Sequence, residues 1–382
     1  MAVWTDYDSG KINVKKCDHV DRPLFKALMG EFEGRRCQIE IHYGPISTGL
    51  WEAGAFRIYT YGERILGVIP DLGYKRRKME ERIVGKDLDT ATIFVERICG
   101  NFAISYATAF CSSFEDEIPE RAMYIRAVAL ELERIYNHLR VMYRLANCAS
   151  QKVAVSHLSA LVEDILRLNA KLFGHRFCFG LIVPGGVSRD LNAEYLLRRL
   201  KELEKEFEGI TDLLLSSRIF IDRLHRTAVL DKKDVVELDT IGVPARASGV
   251  SRDVRAFDPF YSELGFEPKL AEDGDALARM MVRVEEIRSS IKMIEEISKS
   301  LPDSELSWEQ DANGFFFGRS EAPPGDVLIA VDVEDGIVKW IGIRPPSIVN
   351  YLAFSRAVVG NIFTDYPFAL ESFGLSFSDS DR

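Results

Sequence analysis

The chain has 382 residues, 47% of them hydrophobic and 28% charged, with a formal net charge of −10. Such a chain is long enough for a substantial core, and its acidity argues against a nucleic-acid surface, which needs clustered Lys and Arg. No run approaches the roughly 18 to 20 apolar residues that span a bilayer; the most apolar stretch, Phe177 to Val187, is broken by Pro184 and Gly185-Gly186. The opening MAVWTDYDSGK has no basic region followed by an apolar core, so no secretory signal is expected, and any membrane association is expected to come through a partner.

Residues 1–38 are mixed and charged, an extension with no assigned role. From Cys37 short alternating runs follow, QIEIHY, FRIYTYG and ERILGVIPDLG, and predict a small antiparallel sheet within 39–88. The six cysteines, Cys17, Cys37, Cys99, Cys111, Cys148 and Cys178, show no CxxC spacing. That pattern fits free thiols in a reducing compartment and writes no zinc or iron–sulfur motif.

Residues 89–301 read as a helical core. Pro119 suits a first turn, after which Met123, Val128, Leu132, Ile135, Leu139, Met142 and Leu145 recur at helical spacing and predict one long helix to about Asn147. A second helix is expected from Ser156, a third from Asn192 towards Arg226, and a fourth from Asp275 to Leu301. Four such helices imply an antiparallel bundle. Within the first, Glu131, Glu133, Arg134 and Arg140 suit surface pairs, and His138 suits a satisfied structural residue. The Gly- and Ser-rich stretches at 185–191 and 245–255 are neither GxGxxG nor Walker loops, which excludes a nucleotide site of those kinds. Residues 302–325 read as a long loop. VLIAVDV and IVKWIGIR flank Glu334-Asp335-Gly336 as a β-hairpin, and a short helix is expected over 349–359 before the tail SFGLSFSDSDR. The fold class is therefore α+β, predominantly α: a central long-helix bundle, a small N-terminal antiparallel sheet and a C-terminal hairpin, with 39–382 as a single domain.

The stretch FVERICGNFAISYATAF, Phe94 to Phe110, carries the chemistry. Glu96 to Gly100 resembles the Glu-Arg-Ile-Cys-Gly-Ile-Cys signature of [NiFe]-hydrogenase large subunits, closest to the membrane-bound energy-converting group and to the 49 kDa-type subunit of complex I. The blocks YGPISTG (43–49), YKRRKMEE (74–81), IPERAMYIR (118–126), ELERIYNHL (131–139), GGVSRDL (185–191), ARASGVSRDVR (245–255), GDALARMMVRVEEI (274–287), EAPPG (321–325) and IRPPSIVN (343–350) follow in the family's order.

In that family two CxxC pairs supply four thiolates to a nickel and iron pair, a soft ligand set. Here the second position of the first pair is Phe102, and the C-terminal pair falls on Ser376 and Asp379. The family histidine after the first pair falls on Tyr106, that of YxHRG on Arg76, and that of the quinone-headgroup loop on Ser47. The resemblance thus implies a hydrogenase-like large subunit without its nickel–iron site. Cys99, Arg97, Glu96, Glu80 and Asp379 are the expected catalytic residues, with Asp379 or Glu80 as proton donor. Ser47, Arg76, Arg77, Tyr106, His138 and Ser376 are expected to line the substrate cleft. The basic run Lys75 to Lys78 reads either as a solvated face pairing with Glu80 and Glu81, or as a cationic wall for an anionic substrate or partner.

The resemblance further implies an oxidoreductase subunit in the peripheral arm of an ion-pumping respiratory complex, at the cytoplasmic face of the membrane. Its expected partners are a small iron–sulfur subunit holding a [4Fe-4S] cluster, a 30 kDa-type subunit and a membrane-arm subunit. The expected acceptor is a quinone or a sulfur compound, with electrons from a nicotinamide arriving through another subunit. A non-catalytic docking paralogue is the alternative, and one cysteine argues against a working hydrogenase.

Overall fold

The computed structural model describes residues 2–5, 12–15, 39–47 and 49–382. Strands β1 (Ala2–Thr5) and β2 (Ile12–Lys15) pair antiparallel; the remaining expectations for 1–38, and those on Thr48, Cys17 and Cys37, fall outside the described residues. Strands β3 (Ile39–Tyr43), β4 (Ala55–Tyr61) and β5 (Arg64–Asp71) form the expected antiparallel sheet, in that spatial order. Because side chains alternate along a strand, Phe56 and Ile58 of β4 both point inward and are fully buried. The Phe56 ring meets Tyr351, Phe354, Tyr366 and Phe377 at centroid distances of 5.5–6.2 Å. The N-terminal sheet is thereby fastened to the C-terminal segment.

After β5 come α1 (Met79–Ile83) and α2 (Leu88–Val95). The Asp87 side chain caps α2 by accepting from the Thr90 N–H at 2.8 Å. A 3₁₀ turn over Gly100–Phe102 leads into α3 (Ala103–Phe114). The long helix α4 (Glu120–Cys148) starts directly after Pro119, as its periodicity predicts. Helix α5 (Lys152–Phe173) begins four residues before the expected Ser156. The left-handed Ser150 (φ 55°) turns the chain so tightly that helix geometry resumes at once without a side-chain cap.

The short strands β6 (Ile182–Val183) and β7 (Gly186–Val187) precede α6 (Ala193–Ser216) and α7 (Arg218–Leu224). The sequence predicts one helix there. Ser217 instead adopts an extended conformation and its hydroxyl accepts from the Phe220 N–H at 3.4 Å, ending one helix and capping the next. Helices α8 (Lys232–Glu237), α9 (Gly242–Arg246) and α10 (Pro259–Glu263) are short; α11 (Ala276–Lys299) is capped by Asp275. The pairs α4–α5, α5–α6, α6–α11 and α11–α4 pack together and close a four-helix ring, the expected bundle.

The stretch 302–325, expected as loop, contains β8 (Gly314–Ala322), which joins β9 (Gly325–Glu334) and β10 (Ile337–Arg344). The hairpin turn holds, with Asp335 and Gly336 both at positive φ (52° and 72°), but the sheet has three strands with β9 in the middle. Edge strand β8 has a glycine at its centre where it lies against α3: a Cβ on Gly318 would sit 2.0 Å from the Ala109 carbonyl oxygen. Helices α12 (Pro346–Ala357), α13 (Tyr366–Phe373) and α14 (Phe377–Ser380) complete the chain, and α13 lies on α4 and α11. Helix α12 starts at Pro346 and precedes the expected range by three residues, since proline is preorganised for a first turn. Among the described residues no helix is long and apolar enough to cross a membrane.

Candidate active site

The two stretches expected to carry the chemistry meet. Cys99 leaves α2 in an extended conformation and its sulfur, buried, lies 3.7 Å from the Ser376 hydroxyl and 3.8 Å from that of Ser378. Ser376 is the N-cap of α14, so its side chain faces back over the helix start and accepts from the Asp379 N–H. Asp379 is fully buried; one carboxylate oxygen accepts from the Tyr106 hydroxyl and the other from the Ser347 N–H at 3.0 Å. Phe102 is buried beside them, in the apolar core.

A further carboxylate organises this cluster. Glu52, in the loop before β4, accepts from the Ser376 hydroxyl at 3.1 Å and from the backbone N–H and hydroxyl of Ser378 at 2.7 and 2.9 Å. Nothing in the sequence around Glu52 signals this, and Ser378 is flagged only by lying between Ser376 and Asp379. The adjacent Gly54 permits the approach, since a Cβ there would fall 2.1 Å from the Phe377 ring.

The basic run resolves into separate roles. Arg77 points inward, donating to the carbonyls of Arg97 and Ile98 and, at 3.4 Å, to that of Ser378, so one guanidinium pins the Cys99 segment to the tail. Arg76 is exposed, and Lys78 pairs with Glu81 at 3.2 Å. The Gly73 and Lys75 N–H groups donate to Asp381 at 2.7 and 3.0 Å, and Arg382 donates to Glu80.

Other predicted residues stand apart from the cluster. Glu96 is buried but accepts from the Gly180 N–H at 2.7 Å and from Arg97 at 2.8 Å, bracing the loop after α5. Arg97 stacks over Phe179 at 4.7 Å. Ser47 closes its own turn by accepting from the Gly44 N–H at 3.2 Å. His138 faces Glu286 at 2.8 Å, and Glu286 also accepts from Arg246 at 2.7 Å. That pair belongs to a buried ionic network: Arg246 bridges Glu286, Glu321 and Asp253, and Arg255 links Asp253 to Glu131. Glu131 and Arg134, suited by sequence to a surface pair, do pair at 3.2 Å but inside the core. Their face of α4 is covered by α11, which a single helix's periodicity does not reveal.

Electrostatics follow from burial. Desolvation first, then the Asp379 and Glu52 carboxylates, push the Cys99 thiol up to about 12, so it is protonated at neutral pH. Burial also raises the Asp379 carboxyl, against the pull of its Ser347 and Tyr106 hydrogen bonds. His138 is driven down to about 4, by burial and by the neighbouring Arg283 and Arg134, despite Glu286. One protonated thiol among two hydroxyls and a hydrogen-bonded carboxylate is an oxygen-rich donor set. It does not fit a nickel–iron pair, which calls for soft thiolates.

A cavity of about 50 Å³ adjoins the cluster. Ser376, Phe377, Glu52 and Phe102 line it, together with the expected cleft residue His138 and with Arg140, Arg144, Arg283 and Glu371.

A bundle flanked by two three-stranded sheets, with a candidate site between the end of α2 and the C-terminal tail, is the architecture of a large subunit of the hydrogenase type. The chain belongs to the family of [NiFe]-hydrogenase large subunits and complex I 49 kDa-type subunits. Residues 157–316 match the family described as respiratory-chain NADH dehydrogenase, 49 Kd subunit. The chain is similar to the membrane-bound hydrogenase subunit alpha of Pyrococcus furiosus, with 30% identity over 90% of this chain and 87% of that protein. It is also similar to an NADH-quinone oxidoreductase subunit of Chloroherpeton thalassium, 29% identical over 84% and 82% of the two chains. Among solved structures, a chain of the membrane-bound sulfane sulfur reductase, an archaeal respiratory membrane complex, superposes with a TM-score of 0.85 at 26% identity, covering 92% of this chain and 100% of that one.

Proposed function

We propose that this chain is the large subunit of the peripheral arm of a membrane-bound, ion-pumping oxidoreductase, active within its complex. It forms one wall of the cleft in which an acceptor, a quinone or a sulfur compound, is reduced beside a [4Fe-4S] cluster held by a small iron–sulfur subunit. It carries no nickel–iron site of its own. A 30 kDa-type subunit and a membrane-arm subunit complete its surroundings at the cytoplasmic face. The observation that carries this reading is the convergence of Cys99, Ser376, Ser378 and Asp379: the family's metal position is kept as a closed, hydrogen-bonded pocket wall, with oxygen groups in place of thiolates. In that wall Asp379 holds a proton when burial outweighs its hydrogen bonds, and Tyr106 orients it; Glu80, tied to Arg382, is the second candidate donor. Glu96, Arg97 and Ser47 serve this reading as supports of the cleft, since their contacts are with one another, with the Phe179 ring and with the Gly180 and Gly44 N–H groups.

The test is metal and iron–sulfur analysis of the complex purified through this chain, with redox titration against quinone and polysulfide. A partner cluster reoxidised by either acceptor, without nickel, is the expected result. Nickel near one per chain would restore a hydrogenase, and the absence of any associated cluster would make the chain a docking subunit.

A further inference from the structure

The cavity beside Ser376 has an imbalance of charge that the acceptor reading does not by itself require. Three guanidinium groups face it, those of Arg140, Arg144 and Arg283, and two carboxylates, Glu52 and Glu371. Glu371 pairs with Arg144 at 3.4 Å. Glu52 is taken up by the Ser376 and Ser378 donors. Arg140 donates to the side-chain oxygen of Asn101, and among the described residues it forms no ion pair. Arg283 is 1% exposed, donates one N–H to the Arg279 carbonyl at 2.9 Å and leaves its Nε buried without a partner. Glu286, one turn further along α11, is occupied by Arg246 and His138.

Guanidinium groups only donate hydrogen bonds, and a buried one without a counter-charge is costly because its charge is not given up near neutral pH. Burial lowers Arg283 only to about 9, so it remains a cation. A cavity of this size holds a handful of heavy atoms, since one water occupies about 10–15 Å³ of such space. An anion is the ligand class that supplies acceptors on several sides at once and meets arginine forks with charge-assisted hydrogen bonds.

We infer that this cavity is a binding site for a small divalent anion, of the thiosulfate or short polysulfide type, held between Arg140, Arg144 and Arg283. The inference rests on the acceptor-cleft reading only for the ligand's role as substrate, because the cavity shares Ser376 with the Cys99 cluster. It makes the acceptor an anion in preference to a neutral quinone.

The experiment is calorimetric titration of the intact purified complex with thiosulfate at low and high ionic strength. Saturable binding that weakens with salt, falls at least tenfold in Arg140→Gln and in Arg144→Gln, and is unchanged in Arg167→Gln on the exposed face of α5 is the expected result. Two arginine variants are used so that failure of one to assemble leaves the other to decide. Absence of saturable binding in the intact complex, or binding as tight as wild type in both arginine variants, overturns the site. If thiosulfate binds as expected while neither quinone nor polysulfide reoxidises a partner cluster, the anion site stands and the acceptor-cleft reading falls.

Discussion

The thiol of Cys99 and the hydroxyl of Ser376 lie 3.7 Å apart although 277 residues separate them in sequence. The pair joins the first loop of the helical region to the last helix, and both groups are buried. A thiol in this position is held neutral by its surroundings and is unlike a metal-bound thiolate.

That protonation state has a kinetic signature. A thiol at about 12 carries on the order of a thousandfold less thiolate at neutral pH than an ordinary cysteine near 8.5. Native Cys99 is expected to resist iodoacetamide at pH 8 and to react promptly after denaturation, with peptide mass mapping as the readout. Rapid native labelling would contradict the protonated, enclosed thiol.

Glu52 is the fastening of the tail. Glu52→Ala removes the acceptor for the Ser378 N–H and both serine hydroxyls, at a cost of about 2–3 kcal/mol for unsatisfied buried donors. Hydrogen exchange at the Ser378 amide should accelerate about thirtyfold or more, while amides in the centre of α4 stay protected.

Acid should act through His138. Its folded value, about 4, lies below the ordinary 6.5, so between those values the unfolded chain binds a proton that the folded chain refuses. Stability is therefore full above about pH 6.5 and declines towards pH 4, by about 3 kcal/mol over the window. Denaturant titrations across that range should show the slope in the wild type and a shallower one in His138→Gln.

Asp379→Asn retains size but offers an N–H to the Ser347 N–H or the Tyr106 hydroxyl, both of which donate to Asp379 in the folded chain. Acceptor-reducing activity of the assembled complex is expected to fall at least tenfold in Asp379→Asn. Should both that variant and Glu80→Gln keep full activity, neither carboxyl delivers the proton.

Gly54→Ala would press a methyl group into the Phe377 ring, within 2.1 Å of its nearest atom. Overpacking of this kind costs about 1–3 kcal/mol, and the thermal midpoint should drop by a few degrees. The fluorescence or exchange signal of α14 should report the loosening first.

The sequence made the two ends of this site legible because each is a short local pattern, ERICG at one end and GLSFSDSDR at the other. Glu52 escaped because its partners are 324 and 326 residues away, and a lone glutamate between tryptophan and alanine has no local mark. The helices over 120–148 and 276–299 were readable from periodicity. The break at Ser217 was not, since the apolar spacing runs on through it and only a single capping serine ends the helix. Strand β8 read as loop because 302–325 is enriched in proline, serine, aspartate and glycine, while its pairing to β9 is a tertiary fact. Arg140, Arg144 and Arg283 sit at helical spacings that suit a solvated face equally well. Only the approach of α13 and the Glu52 loop turns them into cavity walls.

Arg77, which donates to the carbonyls of Arg97, Ile98 and Ser378, has a consequence for biosynthesis. A ribosome delivers residues from the N-terminus onward, so the bundle can close while the segment bearing Ser376 to Asp379 is still in the exit tunnel. Until it emerges, Glu52 and Tyr106 lack the serine and aspartate groups they bond in the folded chain. The pocket wall is thus among the last parts of the described fold to close, after the bundle it is built on.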